Sequence, residues 1–329
     1  MPNPTDGDLR VDQVLTNMAI SWMQDAKDFV ADQVFPVIGS EVQGDRYVVY
    51  DRADLMRAEM AKRAPGAPSA GGGYRVDNTP TFYCDVWALH KDIEDQRRAN
   101  QRDPIDLDTG ATKYLAQQAL LKKDIEWTGK FLAPKVWTQD YEGDSDTDFT
   151  QWSSGGSTPV EDLTAARYAM KRLTGQWPNV LVLGADVWGI LQNHSDILER
   201  LTITQSKIAK PDILASLLEV DRVLIASGVQ ATTQEGDASP AFDFINGTSA
   251  LLAHAAPSPS LDEPSAGYTF AWTGLVGAGT QGQRIKSFRM EENGADRKEI
   301  EMAFDQKVVA PDLGAYFNKC VDPGEFVVD

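Results

Sequence analysis

The sequence predicts an α+β protein with a long polar arm standing off its body. Three observations carry that expectation. Two strand-like runs flank the polar residues 51–78, one long amphipathic helix follows, and a mixed helix–strand middle gives way to strands alone near the end.

Taken in order, Val11, Val14, Leu15, Met18 and Trp22 fall at helical spacing. Phe35-Pro36 closes that region, because proline disfavours the α conformation in the residue before it. Tyr47-Val48-Val49-Tyr50 reads as a strand, and Thr81-Phe82-Tyr83-Cys84-Asp85-Val86-Trp87 as its partner. Between them stand Pro65, Pro68 and Gly71-Gly72-Gly73, with Arg52, Arg57, Lys62 and Arg63 interleaved among Asp51, Asp54 and Glu59. A connection this long without its own core is functional or disordered. At ~3.3 Å per residue, half the span would reach roughly 50 Å from its base, too far for one chain to bury. Such an arm needs a neighbour.

Asp106 or Asp108 can cap the next element, where Leu107, Ala111, Tyr114, Leu115, Leu121, Ile125 and Leu132 keep a helical period up to Pro134. A helix over 109–132 would be roughly 35 Å long. Residues 140–157 read as an Asp/Gly/Ser loop. A helix over 161–173 then leads through Gly175 and Pro178 to a buried strand, Val180-Leu181-Val182-Leu183, after which Asp186 is placed to cap another helix. Residues 213–218 read as helix, with 222–226 and 250–253 as strands. Residues 268–272, 284–290 and 299–309 alternate as strands. No internal repeat is visible.

The 329 residues (36.1 kDa) suffice for about two domains. Thirty-one basic against 49 acidic residues give a net charge of −18 and a pI near 4.6, which argues against a phosphate-gripping groove. Hydrophobic residues make up 42%, so wholesale disorder is out. No run approaches the length of a membrane span, and the first residues lack the order of a secretory signal. Cys84 and Cys320 are the two cysteines, so no disulfide framework or metal clip is expected, and the composition fits a reducing cytoplasm.

Motifs of chemistry are weak. Gly277-Ala278-Gly279-Thr280-Gln281-Gly282 matches a dinucleotide fingerprint, but the residues after it alternate as a strand rather than opening the required helix. Asp144-Ser145-Asp146-Thr147-Asp148 begins like a calcium loop yet has Phe149 and Gly155 where glycine and glutamate belong. His90, His194 and His254 lack metal-pair spacing, and no nucleophile elbow occurs. Asn246-Gly247-Thr248 reads as a plain turn, and the eight tryptophans as core and subunit-contact residues. No catalytic residue, metal ligand or cofactor site is assigned.

Five phrases in order resemble the major capsid proteins of tailed bacteriophages, of the Hong-Kong-97-type fold. Val30-Ala31-Asp32-Gln33-Val34-Phe35-Pro36-Val37 resembles the end of that family's N-terminal arm, and Gly44-Asp45-Arg46-Tyr47-Val48-Val49-Tyr50-Asp51 the first strand of its extended E-loop. Val182-Leu183-Gly184-Ala185-Asp186-Val187-Trp188 resembles the strand–helix unit of its axial (A) domain. Pro264-Ser265-Ala266-Gly267-Tyr268-Thr269-Phe270-Ala271-Trp272 and Asp305-Gln306-Lys307-Val308-Val309-Ala310-Pro311-Asp312-Leu313-Gly314 resemble its closing segments.

The resemblance implies an N-arm over 1–45, an E-loop over 46–88 and a peripheral (P) domain with its spine helix over 89–158. An A-domain would span 159–272, and 273–329 would return to the P-domain sheet and finally toward the A-domain. It implies a structural protein that self-assembles into the pentamers and hexamers of an icosahedral shell, located in the virion and assembled in the host cytoplasm. Its partners would be further copies, a separate scaffolding protein, a portal and a decoration protein, with packaged double-stranded DNA contacted weakly and without sequence specificity, and no membrane. Some members of the family carry a long scaffolding segment removed by a protease. Here the arm begins within the first ~30 residues, which suggests separate scaffolding or earlier processing. An encapsulin-like compartment holding protein cargo is the alternative on the same fold. Arg52, Arg57, Lys62, Arg63, Arg97, Arg98 and Arg102 lie in or just after the arm, and are expected to face acidic surface on an adjacent subunit; a solvated face is the rival expectation.

Overall fold

The computed structural model of the chain describes residues 24–100, 106–143, 148–201, 210–259, 263–277 and 282–322. The apolar series from Val11 to Trp22, Arg102, most of the acidic 144–148 run and the centre of the glycine motif lie outside the described residues. The elements run α1 (Ala31–Val34), β1 (Val37–Ser40), β2 (Gly44–Arg46), β3 (Val49–Tyr50), α2 (Arg52–Leu55), β4 (Val76–Asp77), β5 (Thr81–Tyr83), β6 (Asp85–Glu94), α3 (Asp95–Ala99), α4 (Leu107–Phe131) and β7 (Gln139–Glu142). They continue with α5 (Pro159–Thr174), β8 (Val180–Gly184), α6 (Ala185–Leu191), α7 (Ser195–Leu201), α8 (Pro211–Leu218), β9 (Arg222–Ala226), β10 (Val229–Ala231), β11 (Phe242–Phe244), β12 (Ala250–Ala253), β13 (Gly267–Trp272), α9 (Thr273–Val276), β14 (Gln283–Met290), β15 (Ala295–Val308) and β16 (Gly314–Asn318).

Two five-stranded sheets form the body. One has the order β7-β16-β12-β8-β9, and both of its faces are covered. Strand side chains alternate between faces, so Leu181 and Leu183 join Leu163 and Met170 of α5 on one side, while Val180 and Val182 join Trp127 and Phe131 of α4 on the other. Burial on both faces is why these strands read as unbroken apolar runs. Gly175 ends α5 in the left-handed conformation (φ 73°), which a glycine adopts without a Cβ penalty.

The second sheet runs β1-β13-β15-β14, with β6 on the other side of β15. Leu115 and Ala119 of α4 pack on Ile300, Met302 and Phe304 of β15. The 25-residue α4 is about 37 Å long and serves both sheets. Its start is fixed as expected: the Asp106 carboxylate accepts from the backbone N–H groups of Asp108 (3.0 Å) and Thr109 (3.2 Å).

Several local expectations are corrected. The run from Thr81 is two strands, broken at Cys84, whose N–H donates to the Gln43 carbonyl at 2.8 Å. The expected loop over 140–157 opens with β7, a strand at the sheet edge paired to β16; Gln139-Asp140-Tyr141-Glu142 is too polar to announce it. Asp186 does not cap α6: Gly184 holds that position without a side-chain bond. The β10–β11 hairpin and β16 carried no strand expectation.

Candidate functional site

The arm is a hairpin built in two steps. β2 pairs with β5 and, farther out, β3 with β4, both antiparallel. Beyond them Asp51 caps the short α2 by accepting from the Ala53 N–H at 2.9 Å. Apart from half-buried Ala67, residues 57–73 are exposed, as expected of an arm without its own core. Arg75 ties its two sides together: its guanidinium donates to Asp54 at 2.9 Å and lies 2.8 Å from Asp51. Those bonds from Arg75 hold the Asp54 carboxyl below its usual range. The arm's base meets the body through Arg52, which donates to Asp312 at 2.6 Å. Beneath the base lies a cavity of about 890 Å³, lined by Tyr47, Val49, Leu55, Met56, Phe270 and Leu313 among others.

The expected contact residues divide into three groups. Arg57, Lys62 and Arg63 stay together on the exposed arm, Arg57 lying 3.9 Å from both Asp54 and Glu59. Arg52 is committed to Asp312 of its own chain. Arg97 pairs with Glu94 at 3.3 Å, and Arg98 bonds Asp296 and Asp108 beside the β14–β15 hairpin. Arg98 thus belongs to an intrachain network with Arg289 and Asp95, and its hydrogen bond to Asp296 lowers that carboxyl. Sequence proximity grouped what the fold separates. Arg75 and Asp54 were missed as a pair because their partnership depends on strand register across the arm.

A second junction holds the N-terminal segment to the body. Residues 24–35 run along β9, from Gln24, whose side chain bonds both backbone groups of Val229, to Val34, whose carbonyl accepts from Arg222 at 3.0 Å. In mid-helix on α4, Asp124 accepts from the N–H groups of Val30 and Ala31 at 2.8 Å each, and Lys123 donates to Asp32 at 3.0 and 3.1 Å. Lys123 and Asp124 are both buried, and burial pushes the Asp124 carboxyl up to about 6. Nothing in the sequence marked this pair, since charged neighbours on a helix are ordinarily solvated.

One arrangement resembles nucleophilic machinery. Ser157 Oγ lies 2.9 Å from His194 Nε2. His194 Nδ1 accepts from the Asp196 backbone N–H at 3.2 Å, so the neutral ring carries its proton on Nε2 and donates toward the serine. The serine in turn donates to main-chain carbonyls of Ser154 and Trp152. A base that donates cannot take the hydroxyl proton, and the contact is structural. Among the described residues no group of three metal-binding side chains gathers, and no helix is long and apolar enough to cross a membrane.

The chain is 23% identical over 272 residues to the major capsid protein of Burkholderia phage BcepMu, a match covering 79% of this chain and 82% of that protein. The fold agrees: a phage-related protein of Bordetella bronchiseptica superposes with a TM-score of 0.69 at 19% identity, covering 94% and 97% of the two chains. The mature capsid of bacteriophage PhiM1 superposes with a TM-score of 0.56 at 11% identity, covering 97% and 91%. The chain has the Hong-Kong-97-type fold and resembles phage major capsid proteins in sequence and structure. No family model matches the sequence. An encapsulin of Synechococcus elongatus has the same fold, with a TM-score of 0.53 at 11% identity over all of this chain and 95% of that one. The fold is therefore the one found in phage capsid shells, and the exposed arm and the pinned N-terminal segment are the candidate assembly elements.

Proposed function

We propose that the chain closes an icosahedral shell of pentamers and hexamers around double-stranded DNA, the arm of each copy clasping the next. The observation that carries this reading is the arm itself: residues 57–73, nearly all exposed on a hairpin that braces itself through Arg75 yet packs little of its length on its own body. Arg57, Lys62 and Arg63 would be the clasp's contact residues, Arg97 and Arg98 lying at its flank with Arg98 already spent within the chain. In this division 1–45 is the N-arm, 46–88 the E-loop, 89–158 with 273–329 chiefly the P-domain, and 159–272 the A-domain. A net charge of −18 per chain favours a wall that confines DNA without gripping it. Scaffolding protein, portal and a decoration protein would be the other partners, assembly would take place in the host cytoplasm, and no catalysis is assigned.

Negative-stain microscopy of purified particles, with nuclease protection and proteomic analysis of their contents, tests this. Closed shells holding protected double-stranded DNA are expected. Shells filled with a dedicated protein cargo would favour the encapsulin-like alternative, which the shared fold supports. A chain that stays monomeric with its scaffolding partner present would overturn both.

A further inference from the structure

Two corners at opposite ends of the β7-β16-β12-β8-β9 sheet carry opposite charge. β8 and β9 are parallel, so both finish at the same end. There the β10–β11 hairpin emerges, and residues 229–244 contain Glu235, Asp237 and Asp243 and no lysine or arginine. Phe242 on this hairpin is 64% exposed. Asp186, at the start of α6, adds to the negative field; burial and then Asp243 push its carboxyl up.

At the opposite end, where β8 begins, α5 finishes beside an exposed aromatic corner. Tyr168 (55% exposed) meets Trp177 (37% exposed) edge to face, with ring centroids 5.3 Å apart. Lys171 Nζ stands 5.2 Å from the Trp177 ring, and Arg172 lies one turn beyond Tyr168 on the same helix face. Arg167 stacks at 4.3 Å on Trp177 but is bound to Glu219, so Lys171 and Arg172 carry the corner's outward charge. Exposed tyrosine and tryptophan beside cations are the side chains that dominate protein interfaces. The five residues of β8 separate these two ends by about 17 Å.

We propose that the β10–β11 hairpin of one copy docks head to tail on the Tyr168–Trp177 corner of the next copy in a ring, with Phe242 on the aromatic pair and Glu235 and Asp237 of the exposed loop facing Lys171 and Arg172. The proposal rests on the capsid reading above and names the surface that closes each ring. Two different patches at opposite ends of one unit make a heterologous contact, the kind that generates closed rings. Charge sets the register, because the reversed approach brings like charges together.

A charge swap tests it on the full chain. Glu235→Lys with Asp237→Lys should lower the yield of assembled particles by roughly tenfold or more, as should Lys171→Glu with Arg172→Glu. The four changes combined should restore at least half of the wild-type yield. A second measurement does not depend on those variants: Phe242→Cys with Tyr168→Cys, treated with a short bis-maleimide, should give a ladder of cross-linked chains ending at five and six. Burial raises the Cys84 thiol to about 12 and Cys320 well above its ordinary value, so the native cysteines stay silent. Wild-type particle yields from both reversed pairs, or cross-linking no further than the single-cysteine controls, would overturn the ring contact while leaving the capsid reading intact. A wild-type chain that forms no particle would overturn the capsid reading and this contact with it.

Discussion

The α4 junction and the arm use the same side chains for opposite ends. At the junction Lys123 and Asp124 are withdrawn from water and spend every bond on residues 30–32 of the same chain. On the arm Arg57, Lys62 and Arg63 stay in water, Arg57 beside Asp54 and Glu59 and Arg63 donating to the Ala67 carbonyl. A buried charge is costly to strip of its partner, whereas an exposed one is worth little to its own fold and much to a contact repeated across a lattice. Charge that stabilises the subunit and charge left available for the proposed contact between subunits are therefore separated by burial, not by residue type.

The strongest way to break this contrast is to remove the arm. Deleting residues 55–72 should abolish shell formation and shift the melting temperature of the body by no more than about 2–4 °C; electron microscopy and calorimetry read the two halves. Normal shells from this variant would remove the arm from assembly. Next in size is Asp32→Ala, which leaves Lys123, 1% exposed, without its counter-ion. It should cost about 3 kcal/mol in urea unfolding.

Acid sharpens the comparison further. The folded Asp124 carboxyl, at about 6, lies above the ordinary 3.8. Between these values the folded chain holds the extra proton, so this group's contribution to stability grows as pH falls through 6 and levels off below about 4. Its full extent is on the order of 3 kcal/mol. Asp54, held low by Arg75, runs the other way: its contribution is present above its ordinary range and is lost as pH drops through its lowered value. Unfolding of Asp124→Asn from pH 6.5 to 4 should lack the gain that wild type shows; parallel curves would remove Asp124 as its source. The smallest effect on folding belongs to Arg57→Glu with Arg63→Glu, no more than about 0.5 kcal/mol in a denaturant titration. The same pair should depress assembly at low salt, and converge toward wild type as added salt shortens the screening length.

The body was legible where its chemistry is local. The Asp106 cap, the α4 period and the apolar β8 run each announce themselves within a few residues, and the arm showed itself by lacking a core of its own. β7 and the β10–β11 hairpin were not legible, because polar edge strands become strands only through the neighbour that pairs with them. The candidate site was half legible for the same reason. Composition gathered Arg52, Arg98 and Arg57 into one surface, but the register of β15 and the closure at Asp312 assign the first two to their own chain. Lys123 and Asp124 gave no sign, since burial is a property of the assembled fold.

β15 has a mechanical consequence. Its 14 residues are held on one flank by β6 and on the other by β14 and then β13. Tension along the strand meets these ladders in shear: the ten residue pairs shared with β6 must slip together rather than open in succession. A container pushed outward by its contents would load each tile along its plane. In this tile the longest strand would then be a tendon, stiff along its length.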